Sequence, residues 1–176
     1  MDNYFELYEL PVNFHPDAAK VKAKYYEFSR LYHPDRFAQA DNTKKLEALT
    51  MAALNNKAYK TLSNADATMA YVLKLNEVLK DEEKYNLPPD FLTEMMDFNE
   101  SVSEYEANPT NNTLREELEK TLADMLADWS KSAETLTCGY DTAHNNHEEL
   151  LKIKDMYFRK KYLLRIQERI TKFALR

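Results

Sequence analysis

Residues 17–37 read DAAKVKAKYYEFSRLYHPDRF. Asp17 offers a side-chain oxygen to the first amides of a helix, and Val21, Tyr25, Phe28 and Tyr32 then recur at steps of four, three and four, which places them on one helical face. Pro34 drives His33 toward extended backbone, so the helix stops there. From about Thr43, the series Leu46, Leu49, Ala53, Leu54, Ala58 and Leu62 predicts a second long amphipathic helix with those residues on its inner side. Two antiparallel helices joined by a tight proline-containing connection form a hairpin.

The flanking sequence extends this all-α pattern. Tyr4 to Glu9 is an aromatic segment stopped by Pro11, long enough only to dock on the hairpin. Residues 64–79 predict a further helix with Met69, Val72, Leu75 and Leu79 on one side. Residues 81–86 are charged and poor in apolar groups and read as a linker, and Pro88 and Pro89 open the next helix. Three long helical patterns follow, near 90–107, 113–136 and 147–174, separated by 108–112 and by a loop holding Gly139 and Asn145-Asn146. Short links between three helices give an up-down-up bundle. The expected organisation is a helical unit over 1–80, a linker over 81–86 and a three-helix bundle over 87–176.

Composition narrows the function classes. Hydrophobic residues make up 44% and charged residues 31% of the 176, a globular balance. Gly139 is the only glycine, and folds that cradle phosphates on glycine-rich loops are thereby excluded. The lone Cys138 can form neither an internal disulfide nor a multi-cysteine zinc site; together with the absence of a basic-then-apolar leader it points to the cytoplasm. No run approaches the roughly 20 apolar residues of a membrane span. A net charge of −6 argues against nucleic acid as a partner. That charge is segregated: residues 81–149 carry 4 Lys/Arg against 18 Asp/Glu, and residues 150–176 carry 9 against 2. An acidic and a basic stretch of similar helical pattern attract when packed together.

The helix ending at Tyr32 is basic, with Lys20, Lys22, Lys24 and Arg30 on its solvent side and Arg36 just beyond. Such a surface suits an acidic protein partner. The sequence YHPDR, closing a basic helix and opening onto a second long one, resembles the J-domain of DnaJ-type co-chaperones. Tyr25, Phe28 and the segment NNKAYKTLSN (Asn55 to Asn64) carry the likeness over about residues 2–75. The resemblance implies that His33, Pro34 and Asp35 stimulate ATP hydrolysis by a DnaK-type chaperone, with Arg36 and the basic helix contributing to its binding. His15-Pro16-Asp17 repeats the tripeptide before the basic helix, where Pro16 and Asp17 serve as helix-entry and cap residues. Position relative to the helices therefore assigns function to the second copy alone.

In the bundle, Phe91, Met95, Phe98, Val102 and Tyr105 form a complete heptad seam. Leu92 and Met96 are left over, about 100° around the helix, on the side of Asp97, Glu100 and Glu104. Phe158 is a similar surplus on the last helix. An apolar spot edged by carboxylates suits a protein partner presenting apolar and basic groups. The layout as a whole, a J-like domain opening with MDNYFELYELP, a short linker and an acidic bundle, resembles the HscB-type J-domain co-chaperones of iron-sulfur cluster assembly. That resemblance implies binding of the scaffold protein IscU through Leu92, Met96, Asp97, Glu100, Glu104 and Phe158, and an HscA/DnaK-type ATPase as the second partner. Thr93 is polar where the family commonly has an apolar residue.

No catalytic constellation stands out. His144 and His147 have a metal-capable spacing but no convergent further ligands, and the carboxylates lie on solvated helical faces rather than paired in an apolar pocket. The expectation is a non-enzyme without metal or cofactor.

Overall fold

The computed structural model describes residues 3–140 and 146–174. Its elements are α1 (Tyr4–Leu7), α2 (Ala18–Leu31), a 3-10 turn (Pro34–Phe37), α3 (Asn42–Leu62), α4 (Ala65–Leu75), α5 (Pro89–Glu94), α6 (Met96–Ala107), α7 (Asn112–Thr137) and α8 (His147–Ala174). No strand occurs among the described residues, so the fold is all-α as the sequence implied. His144, half of the spaced histidine pair, lies outside them.

The chain forms two compact units, one over residues 3–79 with Tyr140, the other over 80–139 and 146–174. In the first, helix starts are capped as their sequences dictate. Asp17 accepts from the amides of Ala19 and Lys20 at 2.9 and 3.1 Å, Asp41 from Lys44 at 2.9 Å and Asn64 from Ala67 at 2.9 Å. Phe5 and Tyr8, the docking aromatics, are fully buried. Residues 64–79 are not one helix: α4 ends at Leu75, Glu77 takes a left-handed φ of 58°, and Val78 and Leu79 are buried in the turn that follows. The amide of Val78 donates to the Leu73 carbonyl at 3.0 Å, the six-to-one bond of a helix-ending motif that glycine usually occupies. Tyr140 packs edge-on against Phe14, with ring centroids 4.8 Å apart.

The inner face of α3 differs from the expected one. Leu46 and Leu49 are 63% and 62% exposed, and Ala53 is exposed with them. The buried positions are Ala48, Asn55, Ala58 and Leu62. Small residues admit the aromatic-laden α2 closely, and Asn55 is held there because its polar atoms are satisfied. Its Oδ1 accepts from the Tyr8 hydroxyl at 2.7 Å, and its Nδ2 donates to the Tyr25 carbonyl at 3.0 Å and to Ser29 Oγ at 3.1 Å. One amide thus ties α3 to α2 and to the turn after α1.

In the second unit the heptad seam is the core. Phe91, Met95, Phe98, Val102 and Tyr105 are all buried, against Leu118 and Leu122 of α7 and Leu163, Ile166 and Ile170 of α8. Phe91 meets Tyr162 (5.5 Å between centroids) and Glu106 meets Arg169, so α5 and α6 run parallel to α8. The expected single helix over 90–107 is interrupted at Met95. The Met95 carbonyl receives both the backbone amide and the side-chain Nδ2 of Asn99, at 2.9 and 2.8 Å, and such side-chain competition disturbs a helix locally. Residues 83–85 lie against α8: Glu83 pairs with Lys154, and the Tyr85 hydroxyl donates to Asp155 at 2.9 Å.

Candidate functional site

The HPD tripeptide forms the start of the 3-10 turn at the end of α2. His33 is extended (φ −63°, ψ 132°), as the following proline requires, and its Nδ1 accepts from the Asp35 amide at 3.3 Å. The His33 and Asp35 side chains are 57% and 90% exposed. Arg36 folds back so that its Nη1 donates to the Arg30 carbonyl at 3.3 Å, placing a cation over the carbonyl end of α2. The imidazole, the carboxylate and the guanidinium are therefore gathered on one exposed corner fixed by local bonds.

At about 100° per residue, the α2 cations fall into two rows. Lys22 and Arg30 lie in line with Tyr26, which is 53% exposed, and this row leads to the turn. Lys20 and Lys24 lie in the other row with Glu27. Lys24 is the least available: it pairs with Glu9 and stands 3.6 Å from Glu27, and hydrogen bonding to Glu9 holds its ammonium above its usual range. The first HPD copy does a different job, Asp17 spending its carboxylate on the cap of α2.

On the bundle, Leu92 and Met96 are 42% and 66% exposed. Asp97, Glu100 and Glu104 are exposed beside them. None of the three has an ion-pair partner among the described residues, whereas Glu106 is engaged by Arg169 through two bonds of 2.8 Å. Those bonds hold the Glu106 carboxyl below its ordinary value. Phe158 is half-buried and stacked on Tyr85, with centroids 4.4 Å apart and planes within 6°, so it offers an edge rather than a free ring. Burial, reinforced by the bond to Asp155, pushes the Tyr85 phenol up to about 12. Thr93 turns its hydroxyl to the Pro89 carbonyl at 2.9 Å, which satisfies its polar atom within its own helix.

The exposed leucines near the HPD corner were missed from sequence. Leu31 is 46% exposed at the end of α2, and Leu46 and Leu49 stand at the start of α3. The signal that could have found them is Ala48, Asn55 and Ala58 at steps of seven and three, a face of small residues and one amide opposite an aromatic one.

Among families of known proteins, residues 87–171 match the model described as the HSCB C-terminal oligomerisation domain. A co-chaperone protein HscB homolog of Vibrio cholerae is 35% identical over 101 residues, 57% of this chain and 59% of the relative. One from Photobacterium profundum is 32% identical over 103 residues and 60% of its length. The aligned stretch thus spans about three fifths of these two relatives. A homolog from Neisseria meningitidis aligns over 151 residues at 28% identity, 81% of this chain and 87% of the relative. Among solved structures, human co-chaperone protein HscB superposes with a TM-score of 0.76 at 26% identity, covering 97% of this chain and 81% of that one. The chaperone HscB from Vibrio cholerae gives 0.71 at 23% identity over 97% and 96%, a likeness of fold. The two-unit helical architecture, the bundle match and the repeated likeness to HscB proteins lead to one conclusion: in sequence and fold the chain is similar to the HscB-type co-chaperones.

Proposed function

We propose that the protein is a two-site adaptor, in which the bundle binds an IscU-type iron-sulfur scaffold protein and the HPD corner stimulates the ATPase of an HscA/DnaK-type chaperone. The observation that carries this reading is the corner itself. His33 and Asp35 are exposed on a turn that needs no partner to hold its shape, so a chaperone meets them already oriented. The row of Lys22 and Arg30 steers an acidic surface toward them. Holding scaffold and chaperone at once raises the effective concentration of client near the ATPase. Hydrolysis occurs in the partner, whose active conformation is favoured by differential contact with the corner; the chain itself is not an enzyme in this reading.

The leftover apolar pair supports the scaffold half. Leu92 and Met96 are exposed beside three carboxylates with no ion-pair partner among the described residues, an arrangement that suits a partner with apolar and basic groups. We place this activity in the cytoplasm, consistent with a single cysteine; among the described residues no helix is long and apolar enough to cross a membrane.

A single-turnover ATPase assay with chaperone and scaffold tests the reading. Wild type accelerates hydrolysis and Asp35→Asn does not; an Asp35→Asn variant as active as wild type would defeat it. A second reading, a general J-domain co-chaperone whose bundle self-associates, has in its favour the description of the matching family as an oligomerisation domain. Light scattering of the full chain separates the two, since a scaffold-binding adaptor stays monomeric until IscU is added.

A further inference from the structure

The second unit carries a cleft of about 290 Å³ between residues 83–87 and α8. Tyr85 and Phe158 form its stacked floor, Tyr162 closes one side, and Lys84, Lys161 and Arg165 stand exposed at its mouth. The carboxylates that line or adjoin the cleft, Glu83 and Asp155, are engaged, and the exposed Glu168 lies a turn beyond Arg165 and outside the lining. Glu83 is bonded to Lys154, and its carboxyl is held below its ordinary value by that bond; Asp155 accepts from Arg159 at 2.6 Å and from Tyr85. The three cations at the mouth have no carboxylate partner among the described residues. A net positive cleft in a chain of net charge −6 is a built contrast rather than an average surface.

Its place in the bundle gives the contrast meaning. Because α5 and α6 run parallel to α8 and meet it through Asn99 and Tyr162, with Nδ2 to hydroxyl at 2.6 Å, Lys161 and Arg165 lie level with Leu92 and Met96. Around the surface the order is acids on α6, the apolar pair, the Asn99–Tyr162 seam, Phe158 and then the cations on α8.

We infer that this cleft is a second, basic half of the docking face, and that it takes an acidic segment of the protein partner, with an apolar or aromatic side chain against the exposed edge of the Tyr85–Phe158 stack. The inference rests on the scaffold reading and adds what that reading lacks, a determinant of orientation. A partner whose basic groups meet Asp97, Glu100 and Glu104 must place its acidic groups on Lys84, Lys161 and Arg165; rotated by half a turn, it meets like charge on both sides. A protein segment is favoured over a phosphate because Lys161 and Arg165 stand one helical turn apart and Lys84 lies on the facing segment, so the cations flank an aromatic floor and do not converge on one point.

Two arms test this on the full chain. In the first, amide shifts are followed on adding, at low salt, an acetylated pentapeptide of four glutamates around a central phenylalanine. They should cluster at residues 84, 161 and 165 and vanish in Lys161→Gln/Arg165→Gln. Absent or scattered shifts, or equal shifts from inorganic phosphate or an oligonucleotide, overturn the inference. In the second, calorimetry measures binding to an IscU-type scaffold. Lys161→Glu/Arg165→Glu should weaken it about tenfold, more at low salt, and unchanged affinity overturns the inference. Should wild type and Leu92→Ala/Met96→Ala both fail to bind the scaffold, the scaffold reading falls, and the peptide arm alone decides the cleft.

Discussion

Replacing Asn55 with alanine should loosen the hairpin that presents the HPD corner. The residue is 1% exposed and makes three side-chain hydrogen bonds, to Tyr8, Tyr25 and Ser29. At about 1 kcal/mol net for each, the sum is about 3 kcal/mol. Two features pull it lower: the Tyr8 hydroxyl keeps the Asn55 carbonyl as an acceptor at 3.1 Å, and the half-buried Ser29 can turn to water. The expected loss is about 2–3 kcal/mol, which is about 30- to 150-fold faster amide exchange at Ala58 and Leu62 in α3 if exchange follows opening of this unit. The partner change Tyr8→Phe should cost about 1 kcal/mol alone and less in the Asn55→Ala background, where the backbone acceptor remains, a coupling of about 0.5 kcal/mol. Exchange rates within a few-fold of wild type, or strictly additive effects, would refute the claim that this amide ties α2 to α3.

Two other perturbations follow from the backbone and the charges. Glu77 holds a left-handed φ of 58° at the end of α4, where a Cβ is costly, so Glu77→Gly should stabilise the first unit by up to about 1 kcal/mol in urea unfolding, and a destabilised variant would show that its side chain does more than tolerate the turn. Glu106 and Glu83 titrate below the ordinary 4.5 because Arg169 and Lys154, respectively, donate to them. A depressed folded value means a contribution fully present above the unfolded value and lost as pH falls through the folded one; Glu83→Gln/Glu106→Gln should therefore flatten the acid limb of bundle unfolding, leaving a smaller difference in stability between neutral pH and pH values below 4.5.

Where the core is made of large apolar residues, the sequence is readable. The Phe91 to Tyr105 seam and the ends of α7 and α8 come from periodicity alone, because each turn contributes a side chain too costly to expose. The faces of α3 were misjudged because its core positions hold alanine and a hydrogen-bonded asparagine while leucines point outward; hydrophobicity marks the wrong side when close approach, not area, sets the packing. The break at Met95 depends on one side-chain amide reaching back to a carbonyl, a choice that composition does not encode. At the candidate sites, exposure of His33, Asp35, Leu92 and Met96 followed from their positions in the pattern. The engagement of Lys24 by Glu9 and of Phe158 by Tyr85 did not, since Glu9 ends a short docking segment of unspecified contacts and Tyr85 lies in a stretch that reads as a linker.

The histidine of the HPD corner is also its own cap. With Nδ1 occupied by the Asp35 amide, the ring hydrogen is assigned to Nε2, and the corner shows a visitor one N–H and, two residues on, one carboxylate. A second proton on the ring would cancel that acceptor and bring a charged Nδ1–H toward Asp35 Oδ2, now 3.5 Å away. The shape of the handle and the tautomer it displays are thus set by the same bond, so neither can be altered without the other.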